Sequence, residues 1–151
     1  MTKGKRWALG CLTVFASFAM LFGGCLYFGF RAANASQPGA DRFHQLYNVG
    51  DWKTIWTEAD THWRLAMDRA ESDRCLDAMR KVLGKHIASK RTGWFVRTGE
   101  CVDVSYAATF EMGEGIETFR WFSGAGVRRL GGYDIQSPMF DRAPAAAPQK
   151  K

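Results

Sequence analysis

Residues 101–110 read Cys101-Val102-Asp103-Val104-Ser105-Tyr106-Ala107-Ala108-Thr109-Phe110, a run in which two kinds of side chain alternate. One set is apolar and would lie on a single side of an extended chain: Val102, Val104, Tyr106, Ala108 and Phe110. The other set is mostly small or polar. Alternation over this length predicts a β-strand with one buried face. The rest of the fold must therefore supply an apolar layer that covers that face.

Three more strands are predicted around this one, because short alternating runs occur on both sides of it between glycine-containing turns. Gly131-Gly132 interrupts the last run and indicates a bulge or a bend there. Since runs joined by short turns usually pair as neighbours, the sequence predicts a four-stranded antiparallel meander. The three runs are residues 92–98, the segment that contains Phe119 and Trp121, and residues 127–135.

Two helices are predicted at the start of the domain. Ser36 is a suitable cap for a helix that includes residues 40–47, and Asp51 is a suitable cap for a second one over residues 52–59. Each segment has apolar residues at helical spacing on one side. Residues 61–67 show no consistent period and are not assigned.

The clearest helix of the domain is predicted to begin after Asp68. Asp68 and Glu71 have the spacing of a capping box, and apolar residues then recur every three or four positions until Gly84. Helices followed by a meander predict an α+β domain. We expect its sheet to wrap this long helix and to keep its outer face open.

An uncharged segment of 24 residues, Trp7–Phe30, precedes the domain. As a helix it would be about 36 Å long, which is enough to cross a hydrocarbon core of ~30 Å. Lys3, Lys5 and Arg6 stand before it, and such cations favour the cytoplasmic side of a membrane. We therefore expect an uncleaved transmembrane helix in contact with membrane lipid, with the N-terminus in the cytoplasm.

Two other interpretations of this segment stay open. Ala33-Asn34-Ala35 has the small-x-small form of a cleavage site, although a secretory signal has an apolar region of only about 7–15 residues. The run Leu21-Phe22-Gly23-Gly24-Cys25 is a poor match to a lipoprotein signal, because Phe22 is bulky and apolar residues follow the cysteine. The segment would then be cleaved or lipidated instead of retained.

The chain is thus predicted to have three parts. Residues 1–35 form the cytoplasmic N-terminus, the anchor and part of a small-residue tether over residues 31–39; residues 36–138 form the α+β domain; residues 139–151 form a disordered tail. The formal net charge is +6, but four cations flank the anchor, and the remaining 17 Lys and Arg stand against 15 Asp and Glu. Because acidic residues are interleaved with these cations, no nucleic-acid partner is predicted.

No metal site, cofactor or catalytic residue is predicted. His44, His62 and His86 are far apart in the sequence, and no cysteine stands beside any of them. Ser105 lacks the flanking glycines of a nucleophile elbow. Asp103 would serve as an acid or a base only inside a closed pocket.

A ligand pocket is a weaker possibility. A curved sheet that faces a helix often leaves a cavity, and Tyr or Trp at its mouth would combine apolar surface with a few polar groups. The candidates for that mouth are Tyr47, Trp56, Tyr106, Trp121 and Tyr133.

A disulfide between Cys75 and Cys101 is possible in an oxidising compartment. Cys75 lies on the apolar face of its predicted helix, whereas strand alternation places Cys101 on the side that points away from the helix. Alternation therefore argues against the bond, although a bulge near the start of the strand would reverse this.

Apolar, aromatic, glycine and a few polar positions support a family resemblance: Phe43, His44, Leu46, Gly50, Asp51, Ile55, Leu83, Gly84, Tyr106, Phe110, Gly113, Glu117, Phe119, Trp121, Leu130, Tyr133, Ile135 and Ser137. Through them, residues 43–137 resemble small bacterial envelope domains of unknown function with a cystatin-like or nuclear-transport-factor-like fold. The resemblance implies an α+β fold in the bacterial cell envelope, and it transfers no catalytic residue.

We therefore expect a single-pass protein of the bacterial inner membrane whose domain faces the periplasm. A tethered domain without catalytic groups most naturally acts by contact, so the predicted function is non-catalytic binding or structural support through a protein partner or self-association. The outer face of the sheet would provide the contact surface. The alternative is a pocket that binds a small apolar ligand or has an enzymatic role.

Overall fold

Helices precede a four-stranded sheet in this fold, and one short helix follows it. The computed structural model describes residues 3–98, 100–124 and 126–142, without the side chains of residues 3–22, Cys25 and Thr98. Its elements are α1 (Lys3–Val49), α2 (Trp52–Glu58), α3 (Thr61–Ala66), α4 (Arg69–Leu83), β1 (His86–Thr98), β2 (Cys101–Phe110), β3 (Gly113–Gly124), β4 (Val127–Gln136) and α5 (Pro138–Arg142). This order confirms the predicted α+β class.

The strands pair in the order β1-β2-β3-β4, each antiparallel to the next, which confirms the predicted meander. Val104 in β2 pairs with Trp94 of β1 and with Phe119 of β3, and Phe119 pairs in turn with Tyr133 of β4. Opposed residues of neighbouring strands share a face of the sheet. Val104 and Phe119 are fully buried, so this row marks the face that the helices cover.

β1 and β3 begin earlier than predicted, whereas β2 covers the predicted residues 101–110 and β4 extends one residue beyond the predicted 127–135. β1 begins at His86 instead of residue 92, because Gly84 ends α4 with a φ of +76° and the chain enters the sheet at once. β3 begins at Gly113, so the turn before it consists of residues 111–112 alone. The interruption predicted at Gly131-Gly132 is confirmed as a register shift in the pairing of β3 with β4.

Residues 61–66, which show no consistent period, form the short helix α3. The Asp60 carboxylate caps it by accepting a hydrogen bond from the backbone N–H of His62 at 3.0 Å. Trp63 is buried, and its indole N–H donates to the hydroxyl of Ser72 at 3.2 Å. A cap and one buried aromatic ring therefore fix this helix without a periodic apolar face.

α1 is continuous, so two predictions about its middle are wrong. Residues 31–39 are helical and form no tether, and Ser36 lies inside the helix instead of capping one. The Ser36 hydroxyl donates to the carbonyl oxygen of Ala32 at 3.0 Å, a local bond that serine commonly makes in helices. Pro38 also lies within the helix.

The C-terminal part of α1, and not α4, covers the sheet. This part contacts β1, β2 and β4, and it contributes Ala40, Phe43, Leu46 and Tyr47 to the core. α4 packs mainly against α2 and α5. The prediction that the sheet wraps the helix after Asp68 is therefore wrong, since α4 packs mainly against other helices.

Gly39 allows α1 to approach the sheet closely. A Cβ atom at this position would lie 2.5 Å from Cη2 and 2.7 Å from Cζ3 of the buried Trp121 ring. In an open helix, Gly→Ala stabilises by about 1 kcal/mol. We expect Gly39→Ala to destabilise the domain instead, by about 1–3 kcal/mol in urea denaturation, because the ring has to shift within a packed core.

The matched control for this change is Gly93→Ala in β1. Among the described residues, apart from the two chain neighbours of Gly93, no atom lies within 4 Å of a Cβ added there. The unfolding free energy of the Gly93→Ala protein should therefore stay the same or rise slightly. If Gly39→Ala stabilised the domain as much as a change in an open helix, the close contact of α1 with Trp121 would be disproved.

No helix among the described residues is both long and apolar enough to cross a membrane. Most of the predicted anchor, Trp7–Phe30, falls on residues 3–22, whose side chains lie outside that description. Residues 139–142 of the predicted tail belong to α5, and residues 143–151 lie outside the described part of the chain.

Candidate functional site

A cleft of about 410 Å³ opens between the C-terminal part of α1, α2 and the first half of β4. Its volume falls within the range of roughly 300–1,000 Å³ that is usual for small-molecule sites. Apolar residues from these three elements, from the end of α2 and from β3 form most of its lining: Phe43, Leu46, Ile55, Ala59, Trp121, Val127 and Leu130. The cleft can therefore hold an apolar group.

Local hydrogen bonds fix the walls of this cleft. The chain leaves α1 at Gly50, whose φ is +77°, and Asp51 then caps α2 by accepting hydrogen bonds from the backbone N–H and the hydroxyl of Thr54 at 3.1 and 2.7 Å. These bonds lower the pKa of the Asp51 carboxyl. At the other end of α2, the backbone N–H of Asp60 donates to the carbonyl of Leu130 at 2.8 Å. α2 is thus connected to both neighbouring walls.

Arginines provide most of the charge along the lining of the cleft. Arg42 is paired with Glu58 at 3.1 Å, so these two charges largely compensate each other. Arg128 is half-buried, and burial lowers the pKa of its guanidinium. Among the described residues it has no salt-bridge partner. Together with the exposed Arg129, it leaves an excess of positive charge beside an apolar floor.

Of the five aromatic residues predicted at a pocket mouth, Trp121 alone lines the cleft. Its side chain is buried, whereas Trp56 and Tyr133 are half-buried. The guanidinium carbon of Arg64 lies 5.9 Å from the centre of the Trp56 ring, which is within the range of a cation–π contact. Trp56 therefore packs beside α3, and Tyr133 lies outside the lining of the cleft.

Tyr47 and Tyr106, the other two predicted pocket residues, are buried in the core. The Tyr47 hydroxyl donates to the carbonyl of Gly84 at 3.2 Å, and the Tyr106 hydroxyl donates to the side-chain oxygen of Gln37 at 3.1 Å. Burial raises the pKa of both phenols. These hydroxyls therefore satisfy internal hydrogen bonds.

A buried polar cluster lies on the covered face of the sheet, where α1 meets β1, β3 and β4. Glu117 of β3 is fully buried, and its two carboxylate oxygens lie 3.0 and 3.2 Å from Nε2 of His44 on α1. Tyr133 of β4 donates its hydroxyl to the same carboxylate at 2.6 Å, and burial raises the pKa of this phenol well above its ordinary value. A carboxylate without such partners would be strongly unfavourable in this position.

His86 of β1 completes this polar cluster. Its ring stacks on that of His44, with 3.5 Å between the centroids and 2° between the planes. Burial lowers the pKa of His86 to about 4, and the neighbouring His44 lowers it as well, so His86 is neutral at pH 7. In the part of the chain that the structure describes, the buried Nε2 of His86 has no hydrogen-bond partner.

The fold brings two of the three histidines together despite their separation in the sequence. One possible ligand atom from each of His44, His86 and Glu117 lies within 4.8 Å of the other two. The separation of these residues in the sequence therefore does not exclude a metal site. His62 stays apart, since it is exposed and its Nδ1 lies 2.6 Å from the Asp60 carboxylate.

The centre of the outer sheet face is polar. Asp103 lies between Arg97 and Arg120, with N–O distances of 2.6 and 2.9 Å. Burial opposes ionisation of Asp103, but the hydrogen bonds from both arginines lower its pKa overall. The Ser105 hydroxyl lies 3.2 Å from that of Thr118. Asp103 is thus an ion-pair partner of two arginines, and among the described residues the hydroxyl of Ser105 has no basic group as its partner.

Cys75 and Cys101 are both free thiols in the structure. Cys75 is exposed, so its predicted place on the apolar face of the helix is wrong. Cys101 is buried although it belongs to the polar set of its strand, and burial raises the pKa of its thiol.

Sequence reasoning did not identify Glu117 or Arg128 as site residues. A signal for Glu117 existed, because it alternates with Phe119 and Trp121 and therefore occupies the apolar face of its strand. No comparable signal marked Arg128. No protein-family model matches the chain, and no curated protein matches it significantly in sequence.

Proposed function

We propose that this protein binds an amphipathic anionic ligand in the cleft between α1, α2 and β4, without catalysing a reaction. The position of Arg128 supports this function best. Its side chain is half-buried beside the apolar lining of the cleft, and it has no salt-bridge partner among the described residues. Arginine stays charged in proteins and pairs well with carboxylates and phosphates. A ligand with an alkyl chain and an acidic head group would match both features.

The charge balance of the cleft favours an anion over a neutral ligand. Its lining contains three arginines and one glutamate, and the glutamate is already paired with Arg42. Arg128 is half-buried and has therefore lost part of its hydration, and this burial also lowers the pKa of its guanidinium. An anionic head group would replace that hydration with charge-assisted hydrogen bonds, which are stronger than neutral ones.

We also propose that the domain is held at the bacterial inner membrane and faces the periplasm. The uncharged segment Trp7–Phe30 and the cations before it support this location. A membrane is a source of amphiphiles, so the location agrees with the proposed ligand. The likeness to a cystatin-like or nuclear-transport-factor-like fold is a further proposal, supported by a long helix that lies across an antiparallel meander.

A protein contact or self-association through the outer sheet face is the second candidate function. Phe95 of β1 and Ile116 of β3 are 65% and 45% exposed, respectively. The register places Asp103, with its two arginines, opposite Phe95, and Ile116 opposite the exposed Ala107 farther along β2. Because polar groups occupy the centre of this face, we rank contact below ligand binding.

Replacing Arg128 with Gln should weaken the binding of dodecanoate by tenfold or more. Loss of one charge-assisted hydrogen bond costs about 1.5–3 kcal/mol, which corresponds to roughly 10–150-fold in Kd. The full-length protein in lipid nanodiscs would be titrated with dodecanoate by calorimetry, and empty nanodiscs would correct for partitioning into lipid. Dodecanol, which has the chain without the charge, should bind both proteins equally.

Lys90→Gln is the matched control for this experiment. Lys90 is exposed on β1, at the opposite edge of the sheet from β4, and its replacement removes the same charge. We expect it to leave the affinity for dodecanoate unchanged. Equal affinities of Arg128→Gln and the unmodified protein, or no binding beyond that of empty nanodiscs, would reject the ligand function in favour of the contact function.

A further inference from the structure

We propose that His44, His86 and Glu117 form a binding site for a divalent transition-metal ion of the zinc type. Two imidazoles and one carboxylate are a common ligand set for such ions. The three residues come from α1, β1 and β3, so the ion would join the long helix to two strands of the sheet. None of them lines the cleft, and the site is therefore separate from the proposed ligand-binding function.

The distances between the donor atoms are close to those of a metal site. Zinc lies about 2.0–2.2 Å from nitrogen and oxygen ligands, which places tetrahedral ligands about 3.3 Å from one another. Nε2 of His44 already lies 3.0 and 3.2 Å from the oxygens of Glu117. No two of the possible ligand atoms of His44, His86 and Glu117 are more than 4.8 Å apart. The widest of these separations would have to shorten by no more than about 1.5 Å for the three atoms to surround an ion.

The buried Nε2 atom of His86 lacks a partner in the described part of the chain, and a bound metal ion would provide one. Among the described residues it has no hydrogen-bond partner, although buried polar atoms almost always have one. The stacked rings run parallel, so binding would tilt the His86 ring to aim its nitrogen at the ion.

Neighbouring groups hold two of the three ligands in place. Tyr133 donates its hydroxyl to Oε1 of Glu117 at 2.6 Å, which leaves Oε2 on the side of His44. Asn48 accepts a hydrogen bond from the backbone N–H of His86 at 2.7 Å and donates to its carbonyl at 2.9 Å. Such outer contacts orient metal ligands and commonly change affinity by about 10–100-fold.

The test is a titration of the chelator-treated full-length protein with Zn²⁺ alone. We expect one Zn²⁺ per chain by elemental analysis, and a rise in Tm of at least ~5 °C at a hundredfold excess over Kd. His86→Gln should weaken binding by at least ~100-fold, since it removes a direct ligand. His62→Gln, which changes an exposed histidine outside the triad, should bind like the unmodified protein.

Two further measurements keep the test decisive if His86→Gln fails to fold. Tyr133→Phe should bind Zn²⁺ about tenfold more weakly through the loss of its contact to Glu117. Co²⁺ added to the unmodified protein should give the visible absorption of a tetrahedral nitrogen and oxygen site. The absence of bound Zn²⁺, an unchanged Kd for Zn²⁺ in a folded His86→Gln, or a loss of binding in His62→Gln would overturn the proposal.

Discussion

Replacement of Glu117 with Ala is expected to lower the unfolding free energy of the domain by about 3–5 kcal/mol. The change removes the partner of two groups, since Nε2 of the buried His44 lies 3.0 Å from this carboxylate and the Tyr133 hydroxyl donates to it at 2.6 Å. Both groups would lose their partner at the fully buried position of Glu117, and a buried polar group without a partner is costly. Urea denaturation followed by circular dichroism would measure the loss.

Glu114→Ala is the matched control for this substitution. Glu114 is exposed on the same strand, so its replacement should change stability by no more than ~0.5 kcal/mol. A loss below ~1 kcal/mol for Glu117→Ala would contradict the description of the polar cluster as buried and internally paired. It would mean that water reaches these groups and replaces the lost carboxylate.

Phe119→Ala is expected to cost about 3–5 kcal/mol, the usual range for a buried phenylalanine. Phe119 is fully buried at the centre of the covered sheet face. Its ring lies 5.3 Å from that of Phe43, 5.0 Å from Tyr133 and 5.6 Å from Tyr106, between ring centroids. Truncation would open a cavity where α1 meets the middle strands, and small domains are stable by only about 5–15 kcal/mol in total.

Phe95→Ala makes the same chemical change at a surface position. Its side chain is 65% exposed on β1, so its removal should alter the unfolding free energy by no more than ~0.5 kcal/mol. If the two substitutions had similar effects on the denaturation midpoint, Phe119 would not occupy the core of the folded domain.

The sheet could be predicted because its signal is local. In β2, all five residues of the apolar set are buried, and the three partly or fully exposed residues, Ser105, Ala107 and Thr109, belong to the other set. Cys101 and Asp103 of that other set are buried as well. The start of β1 was missed because this part of the strand is irregular, with register shifts between His86 and Ala88 and between Arg91 and Gly93. An irregular strand lacks the regular alternation by which β2 was recognised.

The path of α1 could not be predicted from local preferences. Pro38 and Gly39 normally indicate a break, yet both lie inside one helix. The reason is tertiary, because Ala33 and Ala40 are fully buried and Gly39 lies against Trp121 of the sheet. Packing against a neighbouring element overrides weak local propensity.

Both candidate sites combine residues that are distant in the sequence. His44, His86 and Glu117 meet only because α1 crosses the sheet near the start of β1 and the middle of β3. Arg128 reaches the cleft from β4, far from the α1 and α2 residues that form the opposite wall. Spacing rules for motifs cannot detect such sites, although the placement of Glu117 among apolar neighbours was visible.

Peptide mapping with a photoreactive fatty acid tests the proposed ligand site most directly. The full-length protein in lipid nanodiscs would be irradiated with a diazirine analogue of dodecanoate, and the modified peptides would be identified by mass spectrometry. We predict modification at Ile55, at residues 57–59 and at residues 127–130, which line the cleft, and its loss in Arg128→Gln. Modification confined to residues 7–30, as expected for general contact with lipid, would contradict binding in the cleft.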